Sequence, residues 1–286
     1  MAKVKIAAVL AGLFRPWLIA YNLSFVYIGV LFAHGITLYA FALVTIAFMA
    51  ARLSALLMNR YVDRELDLRN PKKRHSDPSL AVPRNTLLYA FALLSALFVF
   101  CAYLLNTLAL LLSPIVIALF IIDPMLKTRT SSRHFSVGAI ESISPLAGYI
   151  GITGTFPAAL PLYLLVVGMI LVGGGFDALY AVVHADFDRS NGIKTYAVKY
   201  GVDKALRISM VSHVIAIAFI ILFALSSGSF AILIGSIGAS AILLSEHSGI
   251  KGANDADFMK RFNIYNPALA VVILASVFAW WFMTLA

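Results

Sequence analysis

Nine apolar runs, each near the length that crosses a bilayer, leave this chain little choice of fold. They fall at 17–33, 37–58, 86–105, 107–122, 136–153, 159–183, 205–226, 230–245 and 265–285. A helix needs about 20 apolar residues to span the hydrocarbon core. A backbone inside lipid must also satisfy its own hydrogen bonds, which a helix does. Composition agrees: 12% of residues are charged, against roughly 25% in soluble domains, and the mean hydropathy is +0.93. The expectation is an all-α polytopic membrane protein of nine transmembrane helices. The short basic start leads into what reads as a first span rather than a cleaved signal. The lone Cys101 lies inside an apolar run, so its expected role is packing, and a disulfide framework is excluded.

The links alternate sharply. Those at 33–36, 106, 154–158 and 227–229 carry no Lys or Arg, whereas the N-terminus and the links at 59–85, 123–135, 184–204 and 246–264 carry nearly all of them. Positive loops face the cytoplasm, which places the charged links there and the end of the last span outside. The net charge of +9 is then explained by topology and by anionic lipid or substrate, not by nucleic acid. Short uncharged links join antiparallel neighbours, as in a helix bundle. Two four-helix halves at about 14–135 and 136–245, followed by a ninth helix at 265–285, fit this order. Pro71, Pro78 and Pro83 interrupt the first long link, so only a short helix is expected there, lying over the bundle as a cap.

Two charged links carry the chemistry. Asn59, Asp63 and Asp67 follow the second run at i, i+4 and i+8, so a continued helix places them on one face. Carboxylates are disfavoured at the negative end of a helix dipole, and a bound cation removes that conflict. Oxygen ligands of this kind suit Mg²⁺, which typically uses one or two carboxylates plus substrate phosphates. Asp177, Tyr180, His184 and Asp188 end the sixth run, with His184 and Asp188 at one constant offset from Asp63 and Asp67. That offset suggests an internal repeat.

Three ionisable groups lie within the apolar runs: Arg52, Glu141 and Asp177. A charge at mid-helix costs roughly 2.5–3.5 kcal/mol on insertion scales, so all three are expected to face the bundle interior. An Arg52–Glu141 ion pair is the structural alternative to a functional role. Gly173, Gly174 and Gly175 precede Asp177 and allow either a kink or close helix packing.

Acidic clusters from two halves of a bundle make a site for two cations. Arg64, Lys72, Lys73, Lys127, Arg129 and Lys194 make its surroundings basic. Carboxylate-held Mg²⁺ beside lysine and arginine fits a diphosphate, and an apolar bundle accommodates a hydrocarbon tail. Together these describe a prenyl diphosphate. Stabilising the leaving diphosphate breaks its allylic bond, and a water-excluding cavity protects the carbocation until an electron-rich acceptor attacks.

The motifs resemble those of the UbiA superfamily of intramembrane prenyltransferases over nearly the whole chain. Asn59, Asp63 and Asp67, followed by Asn70-Pro71, look like its first aspartate-rich motif. The stretch from Asp177 through Tyr180, His184, Asp186 and Asp188 to Gly192, Lys194 and Thr195 is similar to its second. Pro124-Met-Leu-Lys127 matches the end of a Tyr-Pro-x-x-Lys pattern, with Asp123 in the tyrosine position. The resemblance implies a central cavity under a cytoplasmic cap, Mg²⁺ dependence and prenyl transfer. It makes Asp63, Asp67, Asp177, Asp188 and Lys127 the catalytic set. Asn59, Asp63, Asp67, Asp177, Asp186 and Asp188 are the implied metal ligands; His184 stands where the second motif usually has aspartate, and Asp186 or Asp177 supplies the missing charge. Asn59, Arg60, Arg64, Tyr180, His184, Lys194, Arg52 and Arg129 are the expected substrate-binding residues.

Asn59-Arg60 and Phe187-Asp188-Arg189 look most like members that prenylate 4-hydroxybenzoate in quinone synthesis. Arg52 or Arg60 is then expected to bind the acceptor carboxylate. Two rivals stand beside that reading: geranylgeranyl transfer to a glycerol-phosphate ether lipid, and a cation-coupled secondary transporter.

Overall fold

The computed structural model describes residues 16–74, 77–248 and 255–285, with side chains described for these except 16, 17, 72, 73 and 255–262. Lys72 and Lys73 therefore lie outside the described side chains. Among the described residues all regular structure is helical: α1 Pro16–Phe32, α2 Leu38–Arg69, α3 Pro71–Arg74, α4 Arg84–Leu105, α5 Thr107–Met125, α6 Arg133–Ser142, α7 Ser144–Thr153, α8 Pro161–Val182, α9 Ala185–Ser190, α10 Tyr196–Tyr200, α11 Val202–Ser227, α12 Phe230–Glu246 and α13 Asp255–Leu285, with a 3₁₀ turn at Pro78–Ala81. Seven of the nine expected spans are helical segments long and apolar enough to cross a membrane. The other two fall on shorter apolar helices, Leu18–Phe32 and Phe230–Glu246.

The helix α2 positions the first motif. Thr37 starts it by accepting the Ala40 N–H (3.1 Å). Its 32 residues reach about 48 Å at 1.5 Å per residue, more than the ~30 Å hydrocarbon core. The surplus is the motif, carried as the rigid end of a span. Asn70 closes the helix, its N–H bonding to the Asp67 carbonyl, and Pro71 opens the next short helix. That helix is the one expected after the motif.

The fifth run is two helices, not one. α6 ends at Ser142 and α7 begins at Ser144, with Pro145 in its first turn. Proline supplies no N–H and bends the segment. Two small residues then let α7 meet α1 closely. A Cβ on Gly148 would collide with the Val26 carbonyl, and one on Gly29 with the Pro145 carbonyl. The triple glycine of α8 serves packing in the same way: a Cβ on Gly173 would meet the Gly138 backbone, one on Gly174 the Phe135 ring, and one on Gly175 the His213 ring.

The largest apolar cluster joins α1, α8, α11, α12 and α13 around Phe25, Leu165, Phe223, Leu243 and Ile273. A smaller one joins α2 and α4 through Leu57, Met58, Leu87 and Phe91. Leu93, Leu111, Phe230 and Ile234 are exposed on the outside. An apolar exterior of this extent is what a lipid-facing surface needs. Asn106 fastens one end of the bundle: it caps α5 through the Ala109 N–H (2.8 Å) and donates to the Ile150 carbonyl of α7 (2.8 Å).

Candidate active site

The two acidic motifs come together. Asp67 from α2 and Asp188 from α9 line one cavity of about 110 Å³, with Asp177, Tyr180, His184, Lys127 and Lys194. A larger chamber of about 320 Å³ adjoins it, lined by Asn59, Arg60, Asp63, Arg52 and Glu141. Lys127, Arg133, Asp177 and Tyr180 face both spaces. A third cavity of about 320 Å³, walled by apolar residues such as Val26, Phe48, Phe98 and Leu112, continues from the chamber at Arg52, Ala55, Phe120, Ile140 and Glu141. The spaces thus run from two cavities lined by both signs of charge to an apolar one.

Most of the carboxylates are buried and held. Asp63 (5% exposed) receives Lys127 Nζ at 2.8 Å. Asp67 (2% exposed) pairs with Arg60 at 3.3 Å, and Arg60 also reaches Asp77 at 3.1 Å. A cation beside each of these carboxylates offsets part of the cost of burying its charge. Asp177 accepts from His134 Nδ1 at 2.7 Å, while His134 Nε2 accepts the Tyr196 N–H at 3.2 Å. The acceptor role of Nε2 places the ring proton on Nδ1, so His134 donates to Asp177 as a neutral imidazole. Asp188 is also buried.

Deeper in the chamber, Arg52 and Glu141 form the ion pair that was the structural alternative for them, at 3.3 Å. Four buried polar atoms around the chamber lack a hydrogen-bond partner in the structure: Asn59 Oδ1, Arg52 Nε, Tyr21 Oη and Asn266 Oδ1. Buried polar atoms are ordinarily satisfied, so these mark where a bound group would bond. Asn59 Oδ1 with the carboxylates of Asp63, Asp67, Asp177 and Asp188 gives an all-oxygen donor set. That set fits a hard divalent cation such as Mg²⁺.

Three expected residues are not brought to these cavities. Asp186 points outward, 99% exposed, and pairs with Arg189 at 3.3 Å. Asp186 and Asp188 share the short helix α9 two residues apart, which puts them on opposite faces, so with Asp188 buried toward the cavity Asp186 faces outward. Arg64 instead donates to the Ser79 and Leu80 carbonyls at 3.1 Å each, fastening the first long link onto α2. Arg129 is exposed, and its backbone makes the recorded contacts: its carbonyl accepts Lys194 Nζ at 3.2 Å and its N–H donates to the Leu126 carbonyl at 2.9 Å. His184 remains in the small cavity, its ring edge-on to Tyr180 with centroids 4.9 Å apart.

Four lining residues escaped sequence reasoning. Arg133 donates to Asp123 at 2.9 Å, and Ser136 bonds the other oxygen of Asp123 at 2.8 Å. Asp123, in the position where tyrosine is usual, thus aims an arginine at the site. His134, Tyr21 and Asn266 lie in stretches without motif spacing. A histidine beside a basic link was the one signal for His134.

The comparisons with known proteins agree with this geometry. The chain is 33% identical over 159 residues to a 4-hydroxybenzoate octaprenyltransferase of Shewanella piezotolerans, the match covering 54% of each chain; it thus spans about half the length of the curated relatives it matches. The apo structure of a UbiA homologue from Aeropyrum pernix K1 superposes with a TM-score of 0.82 at 26% identity, covering 93% of this chain and 98% of that one. A UbiA homologue from Archaeoglobus fulgidus, solved bound to GPP and Mg²⁺, shares the fold with a TM-score of 0.71 at 17% identity, covering 96% and 98%. The model of the UbiA prenyltransferase family matches residues 22–267, nearly the whole helical bundle that holds the two acidic motifs against one cavity, and this chain belongs to that family.

Proposed function

We propose that the chain transfers a prenyl group from a prenyl diphosphate to a small aromatic acceptor, 4-hydroxybenzoate or a similar quinone precursor, with Mg²⁺ as cofactor. The observation that carries this is the shared cavity of Asp67 and Asp188, continuous through Lys127, Arg133 and Asp177 with the chamber and the apolar space beyond. Asp63, Asp67, Asp177, Asp188 and Asn59 would hold the metal. Mg²⁺, when bound, neutralises diphosphate oxygens and stabilises the charge of the leaving group.

The chain's own residues do the rest. Lys127, Arg133 and Lys194 bind the remaining phosphate oxygens. The allylic C–O bond breaks with its electron pair going to the diphosphate, and these cations stabilise that charge. The apolar walls from α1, α2, α4, α5 and α7 take the hydrocarbon tail and exclude water from the carbocation. The acceptor ring then forms the new C–C bond and loses a proton. Tyr21, Asn59, Asn266 and Arg52 surround the acceptor. Arg60 is committed to Asp67 and Asp77, so Arg52, with an unpartnered Nε, is the better candidate for the acceptor carboxylate. His184 fills the small cavity in place of an aspartate.

In this reading the nine apolar helices all cross the bilayer and the site faces the cytoplasm under a cap built from the first long link. Purified protein given Mg²⁺ and radiolabelled prenyl diphosphates should prenylate 4-hydroxybenzoate. Label in a glycerol-phosphate ether lipid instead would assign the other acceptor, and label in neither would overturn the reading.

A further inference from the structure

Away from the chamber, His213, Glu246 and His247 gather where α11 meets the end of α12. One ligand atom from each lies within 4.8 Å of the others. His213 is fully buried and Glu246 is 2% exposed. Among the described residues neither Glu246 oxygen has a hydrogen-bond partner, and its ion-pair contact there is with His213 Nδ1 at 3.9 Å. A buried carboxylate without donors is costly unless protonated or matched by a cation. None of the recorded ion pairs gives it Lys or Arg.

We infer that these three residues bind a divalent transition-metal ion of the zinc class. The tautomers favour it. His213 Nε2 faces the Val172 carbonyl at 3.2 Å, and a carbonyl only accepts, so Nε2 carries the proton. Nδ1 then presents its lone pair toward Glu246 and His247. A metal-ligating histidine ordinarily donates its other N–H to a carbonyl or carboxylate in this way. His213 Nδ1 lies 2.7 Å from His247 Nε2 and 3.9 Å from Glu246 Oε2. Bonds of about 2.0–2.2 Å in a tetrahedral shell hold ligand atoms roughly 3.3–3.5 Å apart, so the first pair opens and the second closes by about half an ångström. Two imidazoles and one carboxylate suit Zn²⁺ or Co²⁺ and disfavour Mg²⁺.

Such an ion would tie α11 to α12 behind the chamber wall. The Phe176 ring, which lines the chamber, packs edge-on against His213 with centroids 4.8 Å apart. Gly175 leaves the room His213 occupies.

The test uses the full chain in detergent with excess Mg²⁺, stripped of transition metal and titrated with Co²⁺, whose visible absorption reports tetrahedral binding. Zinc content after reloading is measured in parallel. One ion per chain should bind and raise the melting temperature. Affinity should fall at least tenfold in Glu246→Gln and in His247→Gln, but persist in an Asp63→Asn, Asp67→Asn double variant. Wild-type protein that takes up no cobalt or zinc would overturn the inference. So would affinity unchanged in both cluster variants, or lost only in the aspartate variant.

Discussion

Lys127 Nζ lies 2.8 Å from Asp63 Oδ2, joining the link after α5 to the first acidic motif on α2. The lysine also lines both polar cavities, so in the proposed reaction a diphosphate arriving beside Asp63 would meet a cation already in place. Lys127→Met should lower kcat by about 10²-fold, the usual cost of one lost donor to developing negative charge. The acceptor KM should stay within about twofold. Steady-state kinetics with each substrate varied separately would check this.

His134 holds Asp177 through a 2.7 Å hydrogen bond and lines the small cavity beside it. Its loss should act on metal binding. His134→Ala should raise the Mg²⁺ concentration for half-maximal activity about 10–100-fold, the range seen when a ligand's supporting partner is removed. Mg²⁺ titrations should show maximal velocity at least partly restored at high metal, which a general folding defect would not give.

Arg52 and Glu141 meet at 3.3 Å between the chamber and the apolar space. Arg52→Ala should raise KM for an acidic aromatic acceptor by tenfold or more, about 1.4 kcal/mol, with prenyl diphosphate binding retained. Because the change also strands Glu141, the melting temperature should fall. An Arg52→Met, Glu141→Met double variant should recover much of it, since apolar replacement of a buried pair is often neutral or stabilising. Equal loss of both substrates would remove the acceptor role of Arg52.

Gly148 leaves no space for a methyl group beside the Val26 carbonyl of α1. Gly148→Ala should destabilise the protein by about 1–3 kcal/mol, the cost of overpacking a tight contact. Thermal denaturation in detergent measures it. A melting temperature unchanged in that variant would mean that α1 and α7 separate at little cost.

How far the site was legible depended on whether its geometry was local. Asn59, Asp63 and Asp67 share a face because α2 continues unbroken to Arg69, so their spacing carried through. Asp186 was expected for the charge that His184 lacks, not for its spacing, and two residues from Asp188 on α9 it faces outward. Arg64 and Arg129 were drawn in by charge alone. Their nearest partners are set by the path of the links, which no periodicity records. Arg133, Tyr21 and Asn266 come to the chamber, and His134 to the small cavity, from three separate helices, and only the packing brings them together. The Arg52–Glu141 pair was legible because two opposite charges in apolar helices have few alternatives. The spans were read from hydropathy and Pro145 signals the bend in the fifth run, but the length of α12 depends on neighbouring helices.

The central claim is that the two acidic motifs grip one diphosphate between them. Calorimetric titration of a non-hydrolysable prenyl diphosphate analogue tests it most directly, in wild type and in Asp67→Asn and Asp188→Asn. Binding should require Mg²⁺, and each substitution alone should weaken it by tenfold or more. Analogue and metal together should also raise the melting temperature more than either does separately. Binding of equal strength without Mg²⁺, or unaffected by Asp188→Asn, would contradict the account.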